Sequence, residues 1–293
     1  MLDLTKAKFY SVSERHSKYS LSKKYMWEED QVIDRLNNSN HVIVLMGAHL
    51  IKCGLSKYLI KLMRTGKVSH VAMNGAASIH DFEIAAFGHT SECVGETLRD
   101  GRFGMWEETG RMINQALNGE LKLRDRKYVK SVKEERQLYG ETMKMLCCKQ
   151  THRLNSILSE CYYQNIPVTV HVALGTDIIH QHPDCNGENI GRMTYNDFKL
   201  LAEECTRLTE KSVVLCFGSA VIMPEVFVKA LNLARNISGN PIGDFSNIVV
   251  DMNIQYRELE NVVKRPTKRG IYYQARFEHV LPILAKKVQS GRS

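Results

Sequence analysis

The feature that most constrains this chain is a series of apolar runs, each ending in glycine or small polar residues, with helical segments between them. HVIVLMG ends at Gly47, VSHVAMNG ends at Gly75, and LSKYLIKLMRTG between them carries Leu55, Leu59, Leu62 and Met63 at helical spacing before a Gly66 stop. A strand buried on both faces reads as such a continuous apolar run, which is the pattern of a parallel sheet. The stretch from His41 to Cys93 therefore predicts strand, helix, strand, helix, with a βαβ unit at its start.

The second half repeats this logic. VTVHVALGTD (Val168–Asp177), SVVLCFGSAVI (Ser212–Ile222) and FSNIVVDMN (Phe245–Asn253) are further strand candidates. Helical segments TYNDFKLLAEECTRLTE and PEVFVKALNLARN lie between them, with Thr194 as a plausible cap and Pro224 suited to a first helical position. Alternating strands and helices predict an α/β fold with a doubly wound, mostly parallel, Rossmann-like sheet. Such sheets bind ligands beyond the carboxyl ends of their strands. The candidate cofactor-binding residues are therefore Gly47, Ala48, His49, Asn74, Gly75, Ala76, Thr176, Asp177, Gly218 and Ser219. Glycines there let a backbone approach phosphate, and helix N-termini attract it. The GxGxxG fingerprint of a standard dehydrogenase is missing.

Residues 1–40 read as a polar, basic arm followed by a short helix, WEEDQVIDRLNN, and 41–293 as one α/β domain without a Pro- or Ser/Gly-rich linker. The net charge of +8 and a pI near 9.0 favour an anionic partner, such as a phosphate-bearing cofactor, an acidic protein or nucleic acid, without choosing among them. No nucleic-acid-binding module is recognisable. The eight cysteines are scattered without a CxxC pair, which suits a reducing cytoplasm. No apolar run approaches the ~20 residues that cross a bilayer, and the N-terminus lacks an apolar signal core, so neither a membrane span nor secretion is expected.

Several polar residues near the strand ends are candidates for chemistry. His49 and His80 read as ligand contacts or proton relays, or as hydrogen-bonded structural histidines. Asp81 and Glu83 could hold a ribose or an ammonium group, or cap the next helix. Trp106, Glu107 and Glu108 could cradle a cation by charge and cation–π contact, or lie in a helix's first turn. His171, His180, His182, Asp184 and Cys185 form a cluster whose spacing matches no established zinc motif; lining a substrate pocket suits it better than metal.

At LMGAHLIKCGLS, HVAMNGAASIHDFE, TSE with GETLRDGRFGMWEETGR, VALGTD, the GSAV strand end and the closing FEHVLPIL, the chain resembles the deoxyhypusine synthase family from about His41 onward. The resemblance implies a sirtuin-like α/β domain, NAD at the strand ends and a homotetramer built as a dimer of dimers. It also implies spermidine oxidised to an imine, whose aminobutyl group passes to a lysine of an acidic translation factor or, in homospermidine-forming relatives, to a free diamine. Thr176-Asp177 keeps the family's Thr-Asp. The family's polar pair after the first strand is replaced by Ala48-His49. Its Thr-Ala-Gly-Gly with two acids is replaced by Asn74-Gly75-Ala76-Ala77, then Ile79 and His80, then Asp81. The family histidine after the later Gly-rich strand end is absent, Val221 to Glu225 standing there, and so are its Gly-Ser-Asp-Ser-Gly and Trp-Gly-Lys motifs. Lys264 or Lys268 occupies the lysine's region only by approximate position.

The expectation is an NAD-dependent enzyme acting on a polyamine. Its candidate catalytic residues are Lys264 as nucleophile and Asp177 and Glu225 as charge partners or base; His80, Asp81, Trp106, Glu107 and Glu108 would bind substrate. Homospermidine-type transfer, a non-catalytic NAD-binding protein and a metal-dependent hydrolase using His180 and His182 are the alternatives.

Overall fold

The computed structural model describes residues 28–90, 94–121, 123, 137–239 and 241–290. The arm before residue 28, Ser91-Glu92 of the TSE motif and most of the basic stretch after Gly119 lie outside them.

Six strands form one sheet: β1 (His41–Met46), β2 (Val68–Asn74), β3 (Val168–His171), β4 (Ser212–Phe217), β5 (Ser246–Asp251) and β6 (Arg269–Gln274). Their order is β3-β2-β1-β4-β5-β6 and every neighbouring pair is parallel. Val44 pairs with Val71 on one side and Leu215 on the other. This is a Rossmann-like α/β fold. The strand order reverses between β1 and β4, and open sheets of this kind bind ligands in the crevice beyond their carboxyl ends at such a switch point.

The runs are apolar throughout because helices cover both faces. One face packs α1 (Glu29–Asn37), α3 (Ser56–Met63), α4 (Gly75–Phe87), α7 (Tyr139–Cys147), α8 (Ile157–Tyr163) and α12 (Phe277–Lys287) on Val42, Val44 and Met46. The other packs α9 (Gly187–Cys205), α10 (Ile222–Ser238) and the segment after β5 on Ile43, Leu45 and Val214. Burying one Val, Leu or Ile side chain contributes roughly 1.5–3 kcal/mol, so alternate residues of one strand stabilise two separate layers. The α1 helix, upstream of residue 41, buries Val32 and Leu36 in the same core as β1.

Two expected helix starts move. α9 begins at Gly187, capped by the Asn186 side chain; Thr194 lies inside it, donating to the Val170 carbonyl and accepting from the Val172 amide. α10 begins at Ile222, so Pro224 stands at its third residue, where its missing N–H is still an unneeded donor. β6 was not among the strands expected from the sequence. The six-residue segment Leu259–Lys264 winds as a π-helix, a form found mostly as short stretches near functional sites.

Candidate functional site

At the switch point, β1 and β4 leave almost no space between their backbones. Gly47 N–H donates to the Phe217 carbonyl at 3.1 Å, and a Cβ on Gly47 would run into the Gly218 carbonyl. Gly218 has φ +58°, and a Cβ there would stand 2.7 Å from the Phe277 ring. Only glycine meets both demands, a positive φ and a close approach. Both glycines are therefore required by the packing of the strand ends and Phe277.

Around these glycines stand His49, Ser219, Asp251 and, from the start of α12, Phe277 and Glu278. His49 lies edge-on to Phe277 with ring centroids 5.8 Å apart, and its Nε2 is 3.4 Å from Cys53 Sγ. Asp251 closes β5 and accepts the Asn253 amide at 2.9 Å. Burial holds its carboxyl above the usual range, while the amides of Asn253 and Met252 and the His49 imidazole pull it back. Ser219 Oγ accepts the Met223 amide at 3.2 Å, one of the first N–H groups of α10. Glu278 carries an ion pair with Arg276 at 3.0 Å.

Behind this wall lies an acid that the sequence did not single out. Glu258, the last residue of the short helix α11 (Tyr256–Glu258), is fully buried. Its Oε1 accepts the Ser219 amide at 3.2 Å and its Oε2 is 2.6 Å from the Tyr272 hydroxyl. Burial, then repulsion from Asp251, pushes its carboxyl up to about 8. YRELEN reads as an ordinary helical acid, and no local signal marks it as buried.

The β2/β3 half of the same edge is organised differently. Asn74 caps α4 by accepting the Ala77 amide at 2.9 Å. Asp177 leans against Gly75, so closely that a Cβ on Gly75 would collide with its carboxylate. Its Oδ2 is buried and has no hydrogen-bond partner among the described residues, and burial raises its carboxyl to about 6, opposed by His80. His80 Nδ1 is 2.6 Å from Thr90 Oγ1; Thr90 in turn donates to Glu83, which also takes the Thr109 hydroxyl at 3.2 Å. Thr176 is exposed and its hydroxyl donates to the Ala173 carbonyl at 2.7 Å.

The remaining candidates scatter. Asp81 is fully buried and holds α8: it accepts Ser156 Oγ at 2.6 Å and the Ile157 and Leu158 amides at 2.9 and 2.8 Å. Both of its oxygens serve that helix start, so it is a cap and not a contact for ribose or ammonium. Trp106 is buried as the residue preceding α6 (Glu107–Leu117), and Glu107 and Glu108 lie in that helix's first turn. Glu107 approaches His182 Nε2 at 3.8 Å and Arg111 at 3.4 Å. His180 Nδ1 accepts the Gly175 and Asp177 amides, each at 3.1 Å, and His182 Nδ1 accepts the Asp184 amide at 3.0 Å. Among the described residues, no group of three or more His, Cys, Asp or Glu side chains is placed to hold a metal ion.

Glu225, in the first turn of α10, is ion-paired with Lys229 and with Arg257 at 3.1 Å, and accepts Asn261 Nδ2 at 3.0 Å. The Lys229 hydrogen bond holds its carboxyl below the usual range, which suits a fixed charge better than a base. Lys264 is exposed and bonded to Glu260 at 2.6 Å. It stands beside the amino ends of the strands: the neighbouring Pro266 carbonyl receives Arg235 from the end of α10, and Thr267 donates to Phe245, just before β5. The crevice is at the opposite edge, so the structure does not bring Lys264 to it.

The fit of a dinucleotide to these residues is partial. The crevice at the switch point and the start of α10 suit an extended phosphate-bearing ligand, and the exposed apolar side chains Leu174, Val221, Ile254 and Tyr256 follow β3, β4 and β5 along the same edge. The start of α4, by contrast, is already filled by Asn74 and Asp177. An open depression of about 530 Å³ lies at the other edge, lined by Arg35, Lys211, Ser246 and Arg269. Its arginines are already engaged: Arg35 donates to the Arg269 carbonyl, and Arg269 donates to the carbonyls of Glu210 and Asp244.

No protein-family model and no curated protein matches the sequence. Solved structures do share the fold. ArgZ, a cyanobacterial arginine dihydrolase of the ornithine–ammonia cycle, aligns over 89% of this chain at 14% identity and a TM-score of 0.53. AgrE, solved with ornithine and NAD+, aligns over 88% at 15% identity and a TM-score of 0.54. The chain spans only 32% of the length of either protein. A protein assigned as a deoxyhypusine synthase from Entamoeba histolytica aligns over 88% of this chain and 86% of its own length, at 13% identity and a TM-score of 0.51. At these identities the likeness is one of fold. Among the described residues no helix is long and apolar enough to cross a membrane.

Proposed function

We propose that the chain is an NAD-dependent enzyme of deoxyhypusine synthase-like descent that oxidises a polyamine such as spermidine and transfers its aminobutyl group. The observation that carries this reading is the switch point between β1 and β4, where Gly47 and Gly218 let the two strand ends meet beside His49 and Asp251. NAD held along that edge would supply a hydride acceptor for the carbon next to an amine nitrogen; the acceptor amine would displace 1,3-diaminopropane from the resulting imine, and the same hydride would return to reduce the new imine to the product amine. Gly47, Ala48, His49, Gly218 and Ser219 would border the dinucleotide, and Asn74, Gly75, Ala76, Thr176 and Asp177 would form the far end of its site along the same edge. Asp251 and Asp177 hold the ammonium groups of the substrate by charge. His49, close enough to Asp251 for its charge to be felt there, takes the proton that leaves the amine. Phe277 closes the wall behind it.

A free diamine suits this geometry better as acceptor than a lysine relay, because Lys264 stands at the opposite edge of the sheet. A homotetramer and an acidic protein acceptor follow only from the resemblance. The test is calorimetric titration of NAD into the purified protein, with and without spermidine, followed by analysis of products with putrescine present. NAD binding that spermidine tightens, with homospermidine formed, supports the reading. No NAD binding at millimolar concentration would remove it, and NAD binding without turnover on any polyamine would leave a non-catalytic NAD-binding protein.

A further inference from the structure

The hydrogen count around Tyr272 carries an inference beyond that reading. The Tyr272 hydroxyl oxygen lies 2.7 Å from the Asn253 carbonyl and 2.6 Å from Glu258 Oε2, and it accepts the Gln255 amide at 3.1 Å. A phenol has one proton to give. A carbonyl has none, so the Asn253 contact takes the tyrosine's proton. The contact with Glu258 is then a hydrogen bond only if the carboxyl supplies the second proton. With a carboxylate there instead, two acceptor oxygens would face each other at 2.6 Å in a site closed to water.

We infer that Glu258 is a neutral carboxylic acid at neutral pH and a positioning residue of the crevice, donating to Tyr272, which donates to the Asn253 carbonyl. The chain Glu258–Tyr272–Asn253 ties the turn after β5 to β6 and, through the Ser219 amide on Glu258 Oε1, to the end of β4. Asp251 begins that same turn and accepts the Asn253 amide. The lock therefore fixes the direction in which Asp251 faces His49.

The groups around Glu258 agree with this. From β5 it faces Asp251, an acid that discourages a second charge; from β6, Tyr272; from β4, the Cys216 thiol at 3.8 Å and the Ser219 amide. The nearby cation Arg257 is turned outward to Glu225. Burial acts in the same direction. The positioning role rests on the crevice being the reactive site; the protonation state does not, and it can be read without any ligand.

The test compares thermal and urea unfolding of the native protein and Glu258→Gln from pH 5 to 9, with infrared difference spectra between them. An amide keeps both hydrogen bonds, giving N–H to Tyr272 and accepting from Ser219. Glu258→Gln is expected to fold, and the native protein is expected to lose stability relative to it as pH rises, by up to about tenfold in the folding equilibrium per pH unit. The infrared spectrum at pH 7 should show a protonated-carboxyl band that the variant lacks. Parallel pH profiles, the absence of that band, or failure of Glu258→Gln to fold would each overturn the inference. NAD titrations of both proteins at pH 7 and 9 read the positioning role: affinity falls with pH in the native protein and holds in the variant. Equal pH dependence in both would remove that role. If NAD fails to bind either protein, the proposed function falls while the unfolding and infrared results still decide the protonation state.

Discussion

The carboxyl edge of the sheet has two halves, and they handle polar groups in opposite ways. On the β2/β3 half, most polar side chains answer one another. Asn74 caps α4, Asp81 caps α8, and His80, Thr90, Glu83 and Thr109 form one connected chain. Burial raises carboxyls on both halves, Asp81 and Asp177 included. On the β1/β4/β5 half, however, two glycines let the strand ends meet, and two raised acids, Asp251 and Glu258, stand close enough for Asp251 to repel a charge on Glu258. Groups that answer one another make structure, whereas acids displaced together beside a crevice are the pattern of a reactive site. The contrast is what puts the proposed chemistry at the switch point.

The largest expected effect tests the glycine wall. Gly47→Val drives a side chain into the Gly218 backbone, which has no rotamer to change, so it should cost about 3 kcal/mol or more. Gly75→Ala meets the Asp177 carboxylate first, a side chain that can turn away. Urea melts should show Gly75→Ala rescued by a second change, Asp177→Ala, and Gly47→Val rescued by neither. Rescue of Gly47→Val by Asp177→Ala would erase the distinction between the halves.

Next in size is Asp81→Ala. It leaves the Ile157 and Leu158 amides and the Ser156 hydroxyl without their acceptor in a buried place, a loss of about 2 kcal/mol. NAD affinity should not change. A variant of normal stability with weakened NAD binding would return Asp81 to the ligand site.

A smaller effect concerns pH. The Asp177 carboxyl is raised from 3.8 to about 6 by burial, so the folded state holds its proton more tightly than the unfolded chain. Its contribution is fully present below pH 3.8 and is lost as pH rises through 6. Relative to Asp177→Asn, the native protein should therefore lose stability on the order of 1–2 kcal/mol between pH 4 and 7. The opposite slope would mean that Asp177 is held as a carboxylate by a charge not yet identified.

The strands and the edge were legible for one physical reason. A strand buried on both faces must be continuously apolar, and its end must be small where chains cross, so HVIVLMG and VVLCFGS announce both strand and crevice. β6 was hidden because it is an edge strand: RGIYYQ opens with a charge, and only Tyr272 and Tyr273 are buried. Thr194 misled because a hydroxyl that caps a helix elsewhere here bonds a strand backbone from inside α9. Glu258 was invisible because its burial comes from three different strands, through Cys216, Asp251 and Tyr272, and no local pattern encodes that.

The smallest effect closes the comparison from outside both halves. Lys264 sits on the last residue of the π-helix, exposed, four residues from its ion-pair partner Glu260. An exposed i,i+4 pair contributes about 0.3–0.5 kcal/mol, so Lys264→Ala should shift the unfolding midpoint barely at all. As the sheet lies between it and the crevice, NAD affinity and any polyamine turnover should be unchanged as well. A lysine that carried the aminobutyl group would behave otherwise: its alanine variant would bind NAD normally and lose turnover outright. That outcome would require Lys264 to reach a crevice other than the one between β1 and β4, and would move the reactive centre to the amino edge, where Arg35, Lys211 and Arg269 line the open depression. One variant assayed for stability, NAD affinity and turnover therefore decides which edge of the sheet carries the chemistry.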